Sequence, residues 1–434
     1  MDNEAYMATR AVSDVPLPDE MGAAQREQGG ASGGVPRHDD VMGEEVPPLL
    51  ADQVLSTIRD ILRVPPSLAG QEFLGSQPVS LASANAALLA DPALHYCVSW
   101  KADGTRYMAL LLHGGVYLVD RAARVRRCQM RFPAPPPPGR PPSKRADKPD
   151  YGTQYAVLLD GEMVADALEP GGPPAQLRFL IYDCMSLSLG MRGSQEPPFA
   201  DLPFMNRYEA IEAAVVAPKI AYEKAAARRY RTAAEPFRVW RKRFDGPERA
   251  AWLLQEFIPK KLTHFADGLI FQPGAEPYKP RTNEHLLKWK LPSLNSVDFY
   301  VHAGEAGEAV LCVTGSDGAL KALSGVALPP ALLSADEPSP LDAPLVFDAA
   351  EEGQSDLLHD GCIAECAWDG ARGAWSLLRV RQDKQHPNHE SVFARVWQSI
   401  RDNLREEDVL RLLEPAVAAR KAKHEEQPQK RGQE

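Results

Sequence analysis

Hydrophobic residues recur along this chain at two spacings, and each spacing predicts a different element. The helical spacing predicts an amphipathic helix after residue 47, formed by Leu50, Val54, Ile58, Ile61 and Leu62. A second amphipathic helix is predicted near the end of the chain by Val392, Phe393, Val396, Trp397, Ile400 and Leu404. Between them, short apolar runs bounded by glycine, proline and aspartate predict strands.

The polar turn between the runs Tyr96–Trp100 and Tyr107–Leu112 carries the first candidate chemistry. Asp-Gly between two apolar runs is a strong turn signal, and the turn contains Lys101 and Arg106. Burial and nearby cations both favour the neutral, nucleophilic form of a lysine at the end of a strand. A surface hairpin with a solvated lysine and arginine is the alternative interpretation of these residues taken alone.

Short strands follow one another between residues 297 and 381. The runs are Asp298–Ala303, Val310–Thr314, Leu341–Phe347, Gly361–Trp368 and Trp375–Val380. About five short strands over this length predict an OB-fold barrel, which is often used to bind nucleic acid. A generic small β-barrel or sandwich is the alternative.

Composition adds three segments without a predicted core. Residues 1–47 are rich in glycine, aspartate, glutamate, proline and serine, which predicts a disordered leader. Residues 133–150 are rich in proline and charge and predict a disordered insertion. Residues 419–434 are polar and predict a flexible tail.

The charge balance limits how the chain could bind nucleic acid. It has 49 Lys and Arg against 59 Asp and Glu, a net charge of −10, so nucleic acid would need a local basic patch. The six cysteines are dispersed, which predicts reduced thiols of a nuclear or cytosolic protein. No signal pattern or membrane-spanning apolar run is visible, and no membrane association is expected.

Five further segments place polar residues beside apolar runs. They are LDGE at 159–162, IYD at 181–183, DGLIF at 267–271, LKWK at 287–290 and RQDKQHPN at 381–388. Each has an ordinary interpretation as a turn former, a core aromatic or solvated charge. Lys288 and Lys290 project together from a strand and repel each other unless an anion lies between them.

With KADGTR at 101–106, these segments resemble in order the six motifs of the covalent nucleotidyltransferases. FLGSQPVSL at 73–81, PSLNSVDF at 292–299 and RQDKQHPN are similar to the mRNA capping guanylyltransferases in particular. The resemblance implies an α+β fold, with a nucleotidyltransferase domain (ATP-grasp-like, ligase-type) of antiparallel sheets and helices over residues 48–292. An OB-fold β-barrel over 293–390 and a C-terminal helix over 391–418, packing back on the nucleotidyltransferase domain, complete the expected organisation.

The resemblance also implies a reaction and a set of site residues. Lys101 would attack GTP to form a Lys–GMP phosphoramidate, and the 5′-diphosphate end of nascent RNA would then take the GMP to form the cap, with Mg²⁺ or Mn²⁺ as cofactor. Phosphate contacts are expected from Lys288, Lys290, Arg381 and Lys384, with Asp383 fixing the last two. Ribose, base and metal contacts are expected from Arg106, Glu162, Tyr182 and Asp267, with Glu162 and Asp267 as metal ligands.

Partners and alternatives complete these expectations. No H-C-x-x-G-x-x-R loop is present, so a separate RNA triphosphatase is expected. The phosphorylated tail of RNA polymerase II is a further expected partner, with the basic cluster Arg241–Arg243 as a candidate site. An ATP-dependent polynucleotide ligase, or a catalytically inactive relative that binds RNA or polymerase, are the alternatives.

Overall fold

The structure is a computed structural model that describes residues 35–40, 42–64, 73–112, 115–133, 155–189, 198–226, 234–303, 309–329, 332–333, 338–346, 358–382 and 384–426. The described chain divides into two compact units. The first contains the residues up to Val79, Leu88–Lys288 and the residues from Leu413 onward. The second contains Ser80–Ala87 and Trp289–Leu412.

The described strands form three sheets. They are β1 Glu44–Glu45, β2 Gln77–Ser80, β3 Tyr96–Ala102, β4 Thr105–Leu112, β5 Gly115–Val119, β6 Val125–Cys128, β7 Tyr155–Ala167, β8 Pro174–Leu189, β9 Arg238–Arg241, β10 Ala266–Pro273, β11 Thr282–Lys290, β12 Ser296–Ala303, β13 Ala309–Thr314, β14 Leu320–Ala322, β15 Leu345–Val346, β16 Ile363–Asp369 and β17 Ala374–Val380. The sheets have the orders β1-β6-β5-β4-β7-β8-β9, β2-β11-β10-β3 and β14-β13-β12-β16-β17-β15.

The helices are fewer and mostly short. They are α1 Pro48–Leu62, α2 Phe204–Ile211, α3 Ala217–Ala226, α4 Ala250–Trp252, α5 Ile258–Lys260, α6 Glu390–Asp402 and α7 Glu406–Glu426. A π-helical turn joins α2 to α3 at Glu212–Val216, and another joins α4 to α5 at Leu253–Phe257. The predicted α+β class is confirmed.

The seven-stranded sheet is covered on both faces, which explains the uninterrupted apolar run of β4. Met108 and Leu110 pack with Ile58 of α1 in one core cluster. Ala109 and Leu111, which alternate with them, belong to a second cluster that includes α2. Because successive residues of a strand point to opposite faces, a sheet buried on both sides needs apolar residues at every position.

The two strands that flank the Lys101 turn do not form a hairpin. β3 belongs to the four-stranded sheet and β4 to the seven-stranded sheet, so the chain changes sheets within Ala102–Thr105. β4 pairs instead with β5 and β7. The surface-hairpin interpretation of this segment is therefore wrong.

The second unit has its own core. Val297 and Phe299 of β12 and Trp375 of β17 pack there with Phe393 and Trp397 of α6. In the described part of the chain the six strands form an open ladder, so the OB-fold barrel stays a prediction.

The C-terminal helix over 391–418 was expected to pack back on the nucleotidyltransferase domain. Its first part, α6, buries its apolar face in the second core. The residues from Leu413 onward belong instead to the first unit, where Arg420 pairs with Glu248 at 3.3 Å.

Order begins earlier than composition predicts. Within the expected disordered leader, Glu44 and Glu45 form β1 by pairing with Arg127 and Arg126 of β6. Backbone pairing and the Arg126–Glu45 ion pair, at 2.8 Å, hold a segment with few apolar residues of its own. The predicted insertion lies outside the described residues except at 133. All six cysteines are free and buried.

Candidate active site

The candidate site lies in the first unit, where the chain passes from β3 to β4. Lys101 is near the end of β3 and Arg106 near the start of β4. A Cβ atom on Gly104 would come within 2.3 Å of the Met163 carbonyl oxygen and 2.8 Å of Glu162 Cγ. Glycine is therefore required by this close approach of β7, and not by a left-handed backbone conformation.

Lys101 forms an ion pair with Asp267. Its Nζ donates to Asp267 Oδ1 at 2.7 Å, and the two side chains are 21% and 7% exposed. β3 and β10 run antiparallel with Ala102 opposite Ala266 and Trp100 opposite Leu269, so Asp267 and Gly268 form a bulge opposite Lys101. The structure thus brings together the first and fourth motifs, as the resemblance implies.

Arg106 is buried and fully oriented by protein groups. Its Nε and Nη2 donate to the two oxygens of Asp160 at 2.9 and 2.6 Å, and Nη1 donates to the Ser76 carbonyl oxygen at 2.6 Å. This bidentate geometry is the strongest form of a carboxylate–arginine pair. The segment FLGSQPVSL therefore contributes a backbone contact to the first motif.

Two tyrosines complete the surroundings of Arg106. The Tyr182 ring centroid lies 5.6 Å from the Arg106 guanidinium carbon, and burial raises the pKa of Tyr182 well above its ordinary value. The Tyr278 hydroxyl donates to Asp160 Oδ2 at 2.6 Å and accepts from the Ser76 amide at 2.9 Å. Asp160 Oδ2 thus accepts from both Tyr278 and Arg106, and the Ser76 amide orients the Tyr278 hydroxyl.

Glu162 and Lys242 form an electrostatic pair beside this cluster. Glu162 lies opposite Arg106 in the β4–β7 register, and burial raises its pKa although Arg106 and Lys242 oppose the shift. Burial lowers the pKa of Lys242 to about 8, although Glu162 opposes the shift. The Lys242 Nζ lies 5.5 Å from the Trp100 ring centroid and 5.8 Å from that of Tyr182.

Trp100, the residue before Lys101, is fixed by a buried histidine. Its indole Nε1–H donates to His264 Nε2 at 2.9 Å. The proton of neutral His264 must then be on Nδ1, which donates to Asp166 Oδ1 at 3.1 Å. Burial lowers the pKa of His264 in spite of Asp166, which keeps this neutral form.

Lys288 and Lys290 lie on β11 as predicted. Both are half-buried, while Trp289 between them is 2% exposed, so the two lysines share one face of the strand. The unit boundary falls between Lys288 and Trp289.

The sixth motif lies in the second unit, after β17. Arg381 Nη1 donates to Asp298 Oδ1 at 3.2 Å and to Glu365 Oε2 at 3.4 Å. Lys384 Nζ donates to the other oxygen of Asp298. Asp383 lies outside the described residues.

The carboxylates fit a divalent cation only in part. Among the described residues no group of three or more acidic, histidine or cysteine side chains could hold a metal ion. Glu162 and Asp267 both interact electrostatically with Lys242 and so belong to one cluster. Mg²⁺ is commonly held by one or two carboxylates together with substrate phosphates and water, and this donor set fits that arrangement.

Sequence reasoning missed Lys242, Asp160, Tyr278 and His264 as parts of the site. Lys242 stands in a basic strand segment where every charge could be solvated, yet the structure buries it to 4% exposure. Its neighbours Arg241 and Arg243 pair with Glu212 and Asp245, at 3.6 and 2.7 Å. The expected phosphopeptide cluster at 241–243 is therefore partly internal and partly neutralised.

Comparison with known families decides the classification. The family model described as mRNA capping enzyme, catalytic domain, matches residues 36–292. The chain belongs to the mRNA capping enzyme family. The model described as mRNA capping enzyme, C-terminal domain, matches residues 345–410, within the second unit.

Curated members of the capping enzyme family align over most of the chain. It is 31% identical to the "mRNA-capping enzyme" of Mus musculus over 361 residues, which are 83% of this chain and 52% of the mouse protein. It is 29% identical to the "mRNA-capping enzyme subunit alpha" of Schizosaccharomyces pombe, over 87% of this chain and 89% of the yeast protein. The chain spans about half the length of the mouse and zebrafish relatives that it matches.

Solved structures similar to the chain include ligases. A mycobacterial DNA ligase D complexed with ATP and MES is 18% identical, with a TM-score of 0.33, over 72% of this chain and 94% of the ligase. An ATP-dependent DNA ligase from bacteriophage T7 in complex with ATP is 15% identical, with a TM-score of 0.31, over 72% and 98%. No helix within the described ranges has the length and apolar character needed to cross a membrane.

Proposed function

We propose that this member of the capping enzyme family is an mRNA guanylyltransferase that transfers GMP from GTP to the 5′-diphosphate end of nascent RNA through Lys101. The observation that carries the proposal is a cluster in the first unit, where Lys101 pairs with Asp267 and Glu162 interacts electrostatically with Arg106 and Lys101. A lysine nucleophile beside a nucleotide site is what a covalent transfer requires.

In the first half-reaction the Lys101 Nζ lone pair attacks the α-phosphorus of GTP. The N–P bond forms while the bond from phosphorus to the bridging oxygen breaks, and pyrophosphate leaves with that electron pair. The ammonium that pairs with Asp267 loses one proton before attack, which frees the lone pair, and a second proton once the N–P bond has formed; both protons go to solvent. Asp267 orients Nζ through the 2.7 Å contact, and positioning of this kind supplies most of the catalysis in phosphoryl transfer.

In the second half-reaction a terminal phosphate oxygen of the RNA diphosphate attacks the same phosphorus. The P–N bond breaks, Nζ takes up a proton, and the product is GpppN-capped RNA. Lys288 and Lys290 neutralise charge on the α-phosphate, and Arg381 with Lys384 orients the leaving pyrophosphate in the first step. Asp383 is assigned the role of fixing Arg381 and Lys384 in position.

The remaining site residues bind the nucleoside. Arg106 and Glu162 hold the ribose, and the Tyr182 ring stacks on the guanine. Lys242, held against Tyr182 and Trp100, supplies a donor in the same cluster. Glu162 and Asp267 would hold Mg²⁺ or Mn²⁺, which neutralises phosphate charge when bound.

The proposal extends to partners and location. A diphosphate acceptor requires prior removal of the RNA γ-phosphate, which a separate RNA triphosphatase would perform. Capping of nascent RNA places the protein in the nucleus. The phosphorylated tail of RNA polymerase II is a further partner; a phosphate bound at Arg241 or Arg243 would have to replace Glu212 or Asp245.

Covalent labelling tests the activity. The protein is incubated with α-³²P-GTP or α-³²P-ATP and a divalent metal, and the label is followed on a denaturing gel. Label from GTP alone, lost in Lys101→Ala and kept in the matched variant Lys261→Ala, supports the proposal, because Lys261 is an exposed lysine on the same unit. Label from ATP would indicate a ligase instead. No label from either nucleotide would indicate a binding protein without catalysis.

A further inference from the structure

An exposed aromatic residue lies beside the Lys101–Asp267 ion pair, next to the paired strands β3 and β10. Phe265, just before β10, is 61% exposed. The other large hydrophobic side chains that are exposed in the described chain are leucine or valine. An exposed phenylalanine lacks the stabilisation that burial gives. Its ring is accessible to a ligand, and its distance from Lys101 decides whether that ligand can be a substrate of the site.

The pairing register fixes that position. The Asp103 amide donates to the Phe265 carbonyl oxygen at 3.0 Å, which extends the pairing of Ala102 with Ala266 by one residue. Phe265 therefore lies opposite Asp103. Phe265 and Asp103 are the first residues beyond the paired ends of β10 and β3, so Phe265 lies two residues from Asp267 along the chain, about 7 Å away in extended backbone, and Asp103 lies two residues from Lys101.

The chemistry beside Phe265 selects one kind of ligand. Asp103 is an exposed carboxylate opposite Phe265, which disfavours a phosphate there. An uncharged nucleobase can stack on a phenylalanine ring whatever its sequence, because every base has a π-face. Only a diphosphate separates the attacking oxygen of the acceptor RNA from its first nucleoside, so that base must lie near Lys101 during the second half-reaction.

We infer that Phe265 is a stacking platform for the first transcribed base of the acceptor RNA. This inference rests on the proposed guanylyltransferase activity and concerns its second step alone. GTP does not use the platform, so formation of the Lys101–GMP intermediate is independent of it. The platform explains how a chain of net charge −10 could hold its acceptor without a basic patch at this position.

Single-turnover transfer from the isolated Lys101–GMP intermediate to 5′-diphosphate RNA tests the inference. Phe265→Ala is expected to raise the RNA concentration at half-maximal transfer about tenfold, the size of one lost stacking contact. Labelling by GTP is expected to stay at the wild-type rate. Phe265→Trp is expected to restore transfer, and Leu49→Ala, which removes a 72% exposed leucine on α1, is the matched control.

An acceptor RNA with an abasic first position identifies the group that stacks. The wild-type protein is expected to lose the same tenfold with this RNA, and Phe265→Ala is expected to lose nothing more. Equal transfer by Phe265→Ala and wild type would overturn the inference, as would a matching loss in GTP labelling. Absence of label in every variant, wild type included, would overturn the proposed activity itself.

Discussion

The cations that the proposed function assigns to GTP are held by carboxylates in both units, but the two settings differ. In the first unit Arg106 and Asp160 are 4% and 0% exposed, and they share two hydrogen bonds. In the second unit Arg381 and Lys384 are 15% and 36% exposed and share Asp298. The first arrangement is a fixed part of the core, whereas the second joins two more exposed cations to one carboxylate, Asp298, that is itself only 8% exposed.

The two ion pairs should differ in the cost of losing one partner. Separating the partners of a buried ion pair is costly, because it leaves an uncompensated charge. Arg106 and Asp160 therefore stay paired, and Arg106 keeps its geometry whether or not a nucleotide is bound. Arg381 and Lys384 both pair with Asp298, so either cation can be lost while the other still compensates this carboxylate. Among the described residues, Arg106 is therefore held by a carboxylate that has no second cation, whereas Arg381 shares its carboxylate with Lys384.

The largest expected effect compares Arg106→Met with Arg381→Met. The first change should lower the free energy of unfolding by about 3 kcal/mol or more, because Asp160 stays buried without its cation. The second should cost under about 1 kcal/mol, since Lys384 still pairs with Asp298. Urea denaturation measures the free energy of unfolding of both variants. Similar decreases in the two variants would contradict the difference between the two ion pairs.

A second test asks whether buried histidine–carboxylate pairs of the first unit follow the same rule. His264→Leu leaves the Trp100 N–H without an acceptor, and a cost of about 2 kcal/mol is expected. His285→Leu is the control, because His285 is 42% exposed in its pair with Glu276 and should cost under about 1 kcal/mol. Denaturation midpoints are compared, and a larger loss in the control would contradict the prediction.

The pH dependence of stability sharpens the description of Lys242. Its pKa of about 8 in the folded protein lies below the ordinary lysine value of 10.5. Between these values the unfolded chain binds a proton that the native protein does not, so stability from Lys242 rises with pH, by at most about 1.4 kcal/mol per unit. The free energy of unfolding of the wild type should therefore increase relative to that of Lys242→Met as pH rises from 8 to 10. A pH-independent difference would mean that Lys242 titrates normally.

The smallest expected effect concerns the hydroxyl of Tyr278. Tyr278→Phe removes the bonds to Asp160 and to the Ser76 amide, at a cost of about 1 to 2 kcal/mol. Tyr222→Phe, which alters the bond to the Arg131 side chain at the surface, should cost under about 0.5 kcal/mol. The rate of GTP labelling should fall a few-fold in Tyr278→Phe and stay constant in the control.

Much of the organisation could be predicted from the chain. The apolar runs predicted β3, β4, β10 and most strands of the second unit, because alternation and turn residues are local signals. The α+β class and the family followed from motifs in order. Helical spacing also identified α6, although it could not say which core would receive Phe393 and Trp397.

The partners of the site residues were not predictable from local pattern. Arg106 contacts Asp160 across 54 positions and Ser76 across 30, and His264 contacts Trp100 across 164. Such contacts depend on which strands pair and in what register, and that is set by burial on both sheet faces. For the same reason Lys242 could not be distinguished from its solvated neighbours.

The sequence by itself determined most helices and strands, the α+β class and the family. Hydrophobic spacing and short motifs are local signals that involve only residues close together in the chain. Only the tertiary structure decided that β3 and β4 lie in different sheets, that Lys242 is internal, and that Phe265 lies opposite Asp103. A charge or a ring acquires its role from what is packed against it, and packing joins residues that the chain keeps far apart.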